Sequence, residues 1–247
     1  MSGSSGKGEE TTDIHLCNSL INIQVFIITG SYSGVGLELA MQLYRKDAAV
    51  YIAGRSTSKA DAAISQIHDS FPASKGALAF ILLDLNDLTT IKPAVEQFKS
   101  KENRLDVLWN NAGVMTPPKG SKTVQGYEMQ LGCNCLAHFL LTKLLYPVLL
   151  QTAATAVPNS VRVCWTGSLV AELSVPKGVI NFDDINLEKS GSQRTRYGQS
   201  KAANILLASE FAKRDSSGGV LNLASQHLFN RNNGWLHLYL TSPSHSH

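Results

Sequence analysis

Val25-Phe26-Ile27-Ile28-Thr29-Gly30-Ser31-Tyr32-Ser33-Gly34-Val35-Gly36 is the stretch that decides the fold. Its first five residues are a continuous apolar run ending in a threonine, the pattern of a strand buried on both faces. Three glycines follow at once, and residues 37–44 carry the apolar spacing of a helix. A strand, a glycine-rich turn and a helix start make a site for a pyrophosphate, because amides at a helix N-terminus point at the anion. Gly30 permits the tight turn, Gly34 lets phosphates approach the backbone, and Gly36 lets helix and strand pack closely. The amides of Ser33, Gly34, Val35 and Gly36 are the expected donors. A glycine-rich loop alone is a weak signal; the strand before it and the helix after it make it a nucleotide loop rather than a plain turn.

Working outward, strands and helices alternate. Residues 49–53 read as a second buried strand, and its end is Ala53-Gly54-Arg55-Ser56. A carboxylate there would bind a ribose 2′-hydroxyl, whereas an arginine accommodates a 2′-phosphate. Arg55 presents a planar fork to a phosphate, so the expected cofactor is NADP. Residues 58–71 read as a helix, and 79–85 as a third strand carrying Asp84 and Leu85 near its end. Asp84 can meet an adenine amino group or cap the next helix, a task open also to Asn86 and Asp87. That helix is expected over 91–100, with Pro93 in its first turn. Residues 105–109 form a fourth strand running into Asn110-Asn111-Ala112-Gly113, where side-chain amides fix a turn and small residues let a ligand approach.

A long helix is expected over 126–150, ending near Pro147 and carrying Asn134 among apolar neighbours, where a polar group must find a partner. Residues 161–166 are a fifth strand, followed by Gly167-Ser168; 171–196 are a polar excursion, and 219–223 a sixth strand. The alternation predicts an α/β fold, a doubly wound Rossmann-type parallel sheet of order 3-2-1-4-5-6, with the seventh strand absent. One domain is expected over 25–223, with a flexible arm over 1–24 and an atypical, poorly ordered tail over 224–247.

Tyr197-Gly198-Gln199-Ser200-Lys201 opens a run to Arg214 that reads as an amphipathic helix, with Ala203, Ile205, Leu206, Leu207, Phe211 and Ala212 as its buried stripe. Tyr197 and Lys201 lie one turn apart on one face. A nearby ammonium lowers a phenol's pKa toward neutrality, which makes a general acid/base for a carbonyl or an alcohol.

The chain has 247 residues, 43% hydrophobic and 17% charged, which suits a single globular α/β domain. A net charge of +3 with scattered basic residues argues against nucleic acid as a partner. No apolar run reaches about 18 residues, so no transmembrane segment is expected, and the polar start lacks a signal segment. A cytoplasmic location is the expectation. Cys17, Cys133, Cys135 and Cys164 include no CxxC pair and read as free thiols rather than disulfides or metal ligands. His227, His237, His245 and His247 read as part of the tail, so no metal site is expected.

In their joint order, Thr29 to Gly36, Asp84-Leu85, Asn110 to Gly113, Asn134, Ser168, and Tyr197 with Lys201 resemble the short-chain dehydrogenase/reductase family over roughly 25–223. The textures VFIITGSYSGVGLELA and YGQSKAANILLA are most similar to its retinol-dehydrogenase-like branch. The resemblance implies an NADP(H)-dependent oxidoreductase acting on a small-molecule carbonyl/alcohol pair. It implies that Tyr197 moves the proton, Ser168 hydrogen-bonds the substrate oxygen, and Lys201 tunes Tyr197 and holds the nicotinamide ribose. It further implies that Asn134 supports a water leading to Lys201, that Asn111, Ala112 and Gly113 line the cofactor, and that Asp84 and Leu85 meet the adenine. Family members often pair as homodimers through the helices that carry Asn134 and Tyr197. The chain departs from the family after Leu223, where Ala224-Ser225-Gln226-His227-Leu228 stands in place of a Pro-Gly turn and 24 residues remain. The alternative reading is therefore a truncated, catalytically inactive relative that at most binds a nucleotide.

Overall fold

β1 (Val25–Thr29) is buried at every position, because strands flank it on both sides and helices cover both its faces. The description rests on a computed structural model and covers residues 23–189, 191–215, 217–225 and 238–240. The elements that follow β1 are α1 (Gly34–Tyr44), β2 (Ala49–Gly54), α2 (Thr57–Ser70), β3 (Ala77–Leu82), α3 (Ile91–Lys99) and β4 (Val107–Asn110). Then come α4 (Met129–Ala153), β5 (Arg162–Thr166), α5 (Val170–Leu173), α6 (Gln193–Arg214), β6 (Leu221–Ser225) and β7 (Leu238–Leu240). The strand order is β3-β2-β1-β4-β5-β6-β7, and the first six are parallel, which gives the expected doubly wound order.

Side-chain alternation splits the core in two. Val25 and Ile27 join Tyr51, Trp165, Phe98, Leu141 and Leu145 on the face covered by α3, α4 and α6. Phe26 and Ile28 join Val50, Ile52, Leu39, Tyr44 and Ile67 on the face covered by α1 and α2. Asp106, wholly buried, fixes the start of the sheet. Its carboxylate accepts the Val25 amide at 2.8 Å and forks with Arg104 at 2.8 and 2.7 Å.

Several expectations are corrected. A seventh strand is present: β7 pairs antiparallel with β6, Leu240 opposite Leu223. It is three residues long, too short for its alternation to mark a strand in the sequence. β3 stops at Leu82, which leaves Asp84 and Leu85 beyond its end. α4 does not end at Pro147 but passes through it to Ala153, because Leu145, Val148, Leu149 and Thr152 are all buried and their packing outweighs one missing amide. Within α4, Gly132–Leu136 is a π-helical turn. α4 is also long and apolar enough to cross a membrane by length and composition, contrary to the expectation; 56% of its most apolar window is buried inside the protein, as befits a core helix. α6 begins at Gln193, so Tyr197 sits in its second turn, and Leu206, placed in the buried stripe, is 46% exposed. Cys133, Cys135 and Cys164 are buried free thiols. The arm over 1–22, Cys17, and the four histidines after residue 224 lie outside the described residues.

Candidate active site

The cleft forms where the strand order reverses: the chain leaves β1 toward β2 and β3 on one side and returns to β4 on the other. It measures about 440 Å³ and takes its lining from the C-terminal ends of β1 to β4. The loop before α1 contributes Gly30, Ser33, Val35 and Gly36; the end of β2 contributes Arg55; the end of β3 contributes Asp84 and Leu85. The end of β4 contributes Asn111, Ala112 and Gly113. Gly34 is not itself among the lining residues, but it starts α1 with a left-handed φ of 56°, and a methyl group there would meet nothing within 4 Å. The close-packing role expected of Gly36 is met: a Cβ there would lie 2.7 Å from Asn111 Nδ2 and 2.8 Å from the Gly30 oxygen.

The N-terminus of α1 has the features of an anion site. Ser33 makes no side-chain capping bond, and no acidic residue stands in the first turn. At the end of β3 the alternatives separate. Asp87 caps the short turn Leu88–Thr90, accepting from the Thr89 amide at 3.0 Å, while Asp84 accepts from the Asn86 amide at 3.0 Å and lines the cleft.

Sequence reasoning missed Tyr32, Met129 and Cys133, which also line the cleft. Tyr32 lies so close over Gly54 that any side chain at 54 would collide with its ring. An aromatic residue inside a glycine loop, followed by a glycine at the next strand end, was the available signal. Burial raises the Cys133 thiol to about 11, so it lines the cleft as a neutral group.

The second cluster gathers at the ends of β4 and β5. Asn134, in the π-helical turn, is fully buried. Its Oδ1 accepts from the Val114 amide at 2.7 Å, and its Nδ2 donates to the Val114 oxygen and to Ser200 Oγ, each at 3.0 Å. Lys201 donates through Nζ to the Thr166 oxygen at 3.0 Å and stands 5.7 Å from the centre of the Tyr197 ring. Gly113 lies between them: a Cβ there would be 3.2 Å from Asn134 Oδ1 and 3.5 Å from Lys201 Nζ. Ser168 faces the Tyr197 phenol closely enough to act on its pKa, and its Oγ accepts from the Val170 amide at 3.3 Å. Tyr197, Lys201, Ser168 and Asn134 therefore meet in one place.

The electrostatics correct one expectation. Tyr197 is shifted up, not down: burial raises it, and the nearby Ser168 hydroxyl pulls the other way. Lys201 is buried and aimed at a backbone carbonyl, and burial lowers it to about 8. In this state the phenol carries its proton at neutral pH, as a proton donor must.

Residues 24–176 match the model of the family described as short chain dehydrogenase. Among curated proteins, a short-chain dehydrogenase/reductase of Emericella nidulans, pkfC, is 47% identical over 203 residues, covering 81% of this chain and 65% of its own length. Retinol dehydrogenase 12 of Mus musculus is 39% identical over 207 residues, covering 83% and 61%. A crystal structure of an uncharacterized protein from Mycobacterium paratuberculosis superposes with a TM-score of 0.64 at 34% identity, covering 82% of this chain and 67% of that one. The chain thus spans somewhat less than two thirds of the length of these curated relatives. With the sheet order, the glycine loop and the four-residue cluster in their places, the chain belongs to the short-chain dehydrogenase family.

Proposed function

We propose that the chain is an NADP(H)-dependent oxidoreductase acting on a small-molecule carbonyl/alcohol pair. The observation that carries this is the meeting of Tyr197, Ser168 and Lys201 beside Gly113, which lines the same cleft as Arg55 although the three do not line it themselves. The residues fit a dinucleotide: an uncapped helix start for the pyrophosphate, Asp84 for the adenine side, and Arg55 with no carboxylate at the end of β2 for a 2′-phosphate. The bound nicotinamide supplies or takes the hydride.

The protein's own groups manage the proton. Ser168 orients the substrate oxygen toward the Tyr197 hydroxyl. Tyr197 gives its proton to that oxygen as the carbonyl is reduced, and takes it back in the reverse direction. The Lys201 ammonium, 5.7 Å from the ring centre, stabilises the phenolate left behind. Asn134 holds the strand-end loop at Val114 and the turn at Ser200 in register around them.

Tyr197→Phe removes the proton donor and keeps the ring. Turnover on an authentic substrate should fall by about 10² to 10⁴-fold, with NADPH affinity nearly unchanged by fluorescence titration. A Phe variant that turns over at the wild-type rate would overturn the assignment.

A further inference from the structure

His138 and Thr29 are buried, 1% and 0% exposed, and neither takes part in the proton transfer described above. His138 stands on α4 one turn beyond Asn134. Its Nδ1 lies 3.0 Å from the main-chain oxygen of Asn134. A carbonyl only accepts, so Nδ1 carries the proton. In a neutral ring Nε2 is then a bare acceptor, and it lies 2.9 Å from Thr29 Oγ1. The Thr29 hydroxyl therefore donates to it. The same oxygen accepts the amides of Asn111 and Ala112, both at 2.9 Å, while Asn111 Nδ2 donates to the Thr29 carbonyl at 2.9 Å. The hydroxyl has one proton, and the competing acceptor, the Trp109 oxygen, is farther away at 3.3 Å. Burial, with the Lys201 charge in support and the bond to Asn134 opposed, holds the imidazole at about 4, so the ring is neutral as the bonding requires.

On the far side the path continues without a break. Asn134 Nδ2 reaches Ser200 Oγ at 3.0 Å, and Ser200 Oγ donates to the Tyr197 main-chain oxygen at 2.8 Å. One line of hydrogen bonds thus runs from the amides of the cleft, through Thr29, His138 and Asn134, to the turn of α6 that carries Tyr197 and Lys201.

We propose that His138 is a positioning residue, locked in the Nδ1-protonated tautomer, that sets the turn carrying Tyr197 and Lys201 relative to the Asn111-Ala112 edge of the nucleotide cleft. Its bearing on catalysis rests on the oxidoreductase reading; its tautomer and its coupling to Thr29 do not.

Two measurements on the full chain test it. The first is the imidazole ¹⁵N spectrum of histidine-labelled protein at neutral pH, with the His138 signals identified by their loss in His138→Phe. A neutral ring protonated on Nδ1 is expected; an Nε2-protonated ring or an imidazolium overturns the proposal. The second is a cycle of His138→Phe, Thr29→Val and the double variant, read as NADPH affinity and as kcat at saturating NADPH. Each single change should weaken binding and lower kcat about tenfold, and the double should be no worse than the poorer single. Multiplying losses, or a kcat per folded molecule equal to wild type in His138→Phe, overturn it. If wild type binds no NADPH, the oxidoreductase reading fails separately. The same cycle read as melting temperature, together with the spectrum, then decides the coupling.

Discussion

At the scale of single residues, the site is governed by burial acting on two groups in opposite directions. Burial raises the Tyr197 phenol and lowers the Lys201 ammonium to about 8, because each loses solvation of its charged form. For Lys201 the consequence for stability has a definite sign. Its ordinary value is 10.5, so between pH 8 and 10.5 the unfolded chain holds more protons than the folded one, and stability rises with pH across that window. The gap corresponds to about 3 kcal/mol. Lys201→Met removes the titration. The difference in unfolding free energy, wild type minus variant, should therefore grow in favour of wild type from pH 8 to 10.5, measured by denaturant titration. A difference that stays flat over that range means that Lys201 is solvated in the folded protein. His138 carries the same lesson in legibility. An imidazole four residues after Asn134 on an apolar helix had to find buried partners, as Asn134 did, but the sequence does not say that Thr29, 109 residues away, is one of them.

At the scale of elements, α6 owes its place to a missing side chain. Gly198 lies under the last turn of α5, where a Cβ would run into the Ser174 carbonyl and lie 3.1 Å from the Val170 oxygen. Gly198→Ala should push α5 away from α6, cost about 1–3 kcal/mol, and displace Ser168, two residues before α5. A lower melting temperature together with a lower kcat is expected; unchanged values of both would show that α5 yields freely. At the other end of the sheet, Asp106 joins β1 to the Arg104 guanidinium from a fully buried position. Asp106→Ala leaves the buried Val25 amide without its acceptor, while the partly exposed Arg104 guanidinium keeps water, and should cost about 1–3 kcal/mol by equilibrium unfolding. The strands were legible because β1 and β2 are continuous buried runs and β5 is buried from Val163 onward. The boundaries were not. The π-helical turn at Asn134, the passage of α4 through Pro147 and the early start of α6 at Gln193 are decided by tertiary packing, which local pattern does not encode. The cluster of Tyr197, Lys201, Ser168 and Asn134 was readable because each has a distinctive neighbourhood in the chain. Cys133 was not, because nothing local marks it as lining a cleft, and the only mark of Tyr32 was its place in the glycine loop with Gly54 at the next strand end.

At the scale of the whole molecule, the cleft belongs to the sheet rather than to any one element. Four strand ends, the start of α1 and the start of α4 build it, so a ligand that fills it ties β1, β2, β3 and β4 together. A ligand that binds only the folded state stabilises it by RT ln(1 + [L]/Kd), about 2.7 kcal/mol at a hundredfold excess over Kd. For a domain of this size that raises the melting temperature by about 5–10 °C. NADPH should produce that shift, and NADH at the same concentration a much smaller one, because Arg55 offers its fork to a 2′-phosphate and no carboxylate stands there to hold a ribose hydroxyl. Arg55→Asp should reverse the order. Equal shifts from both nucleotides would remove Arg55 from the specificity argument and leave the glycine loop intact. No shift from either would mean that the six parallel strands form the fold without gripping a nucleotide, and the oxidoreductase reading would fall with it.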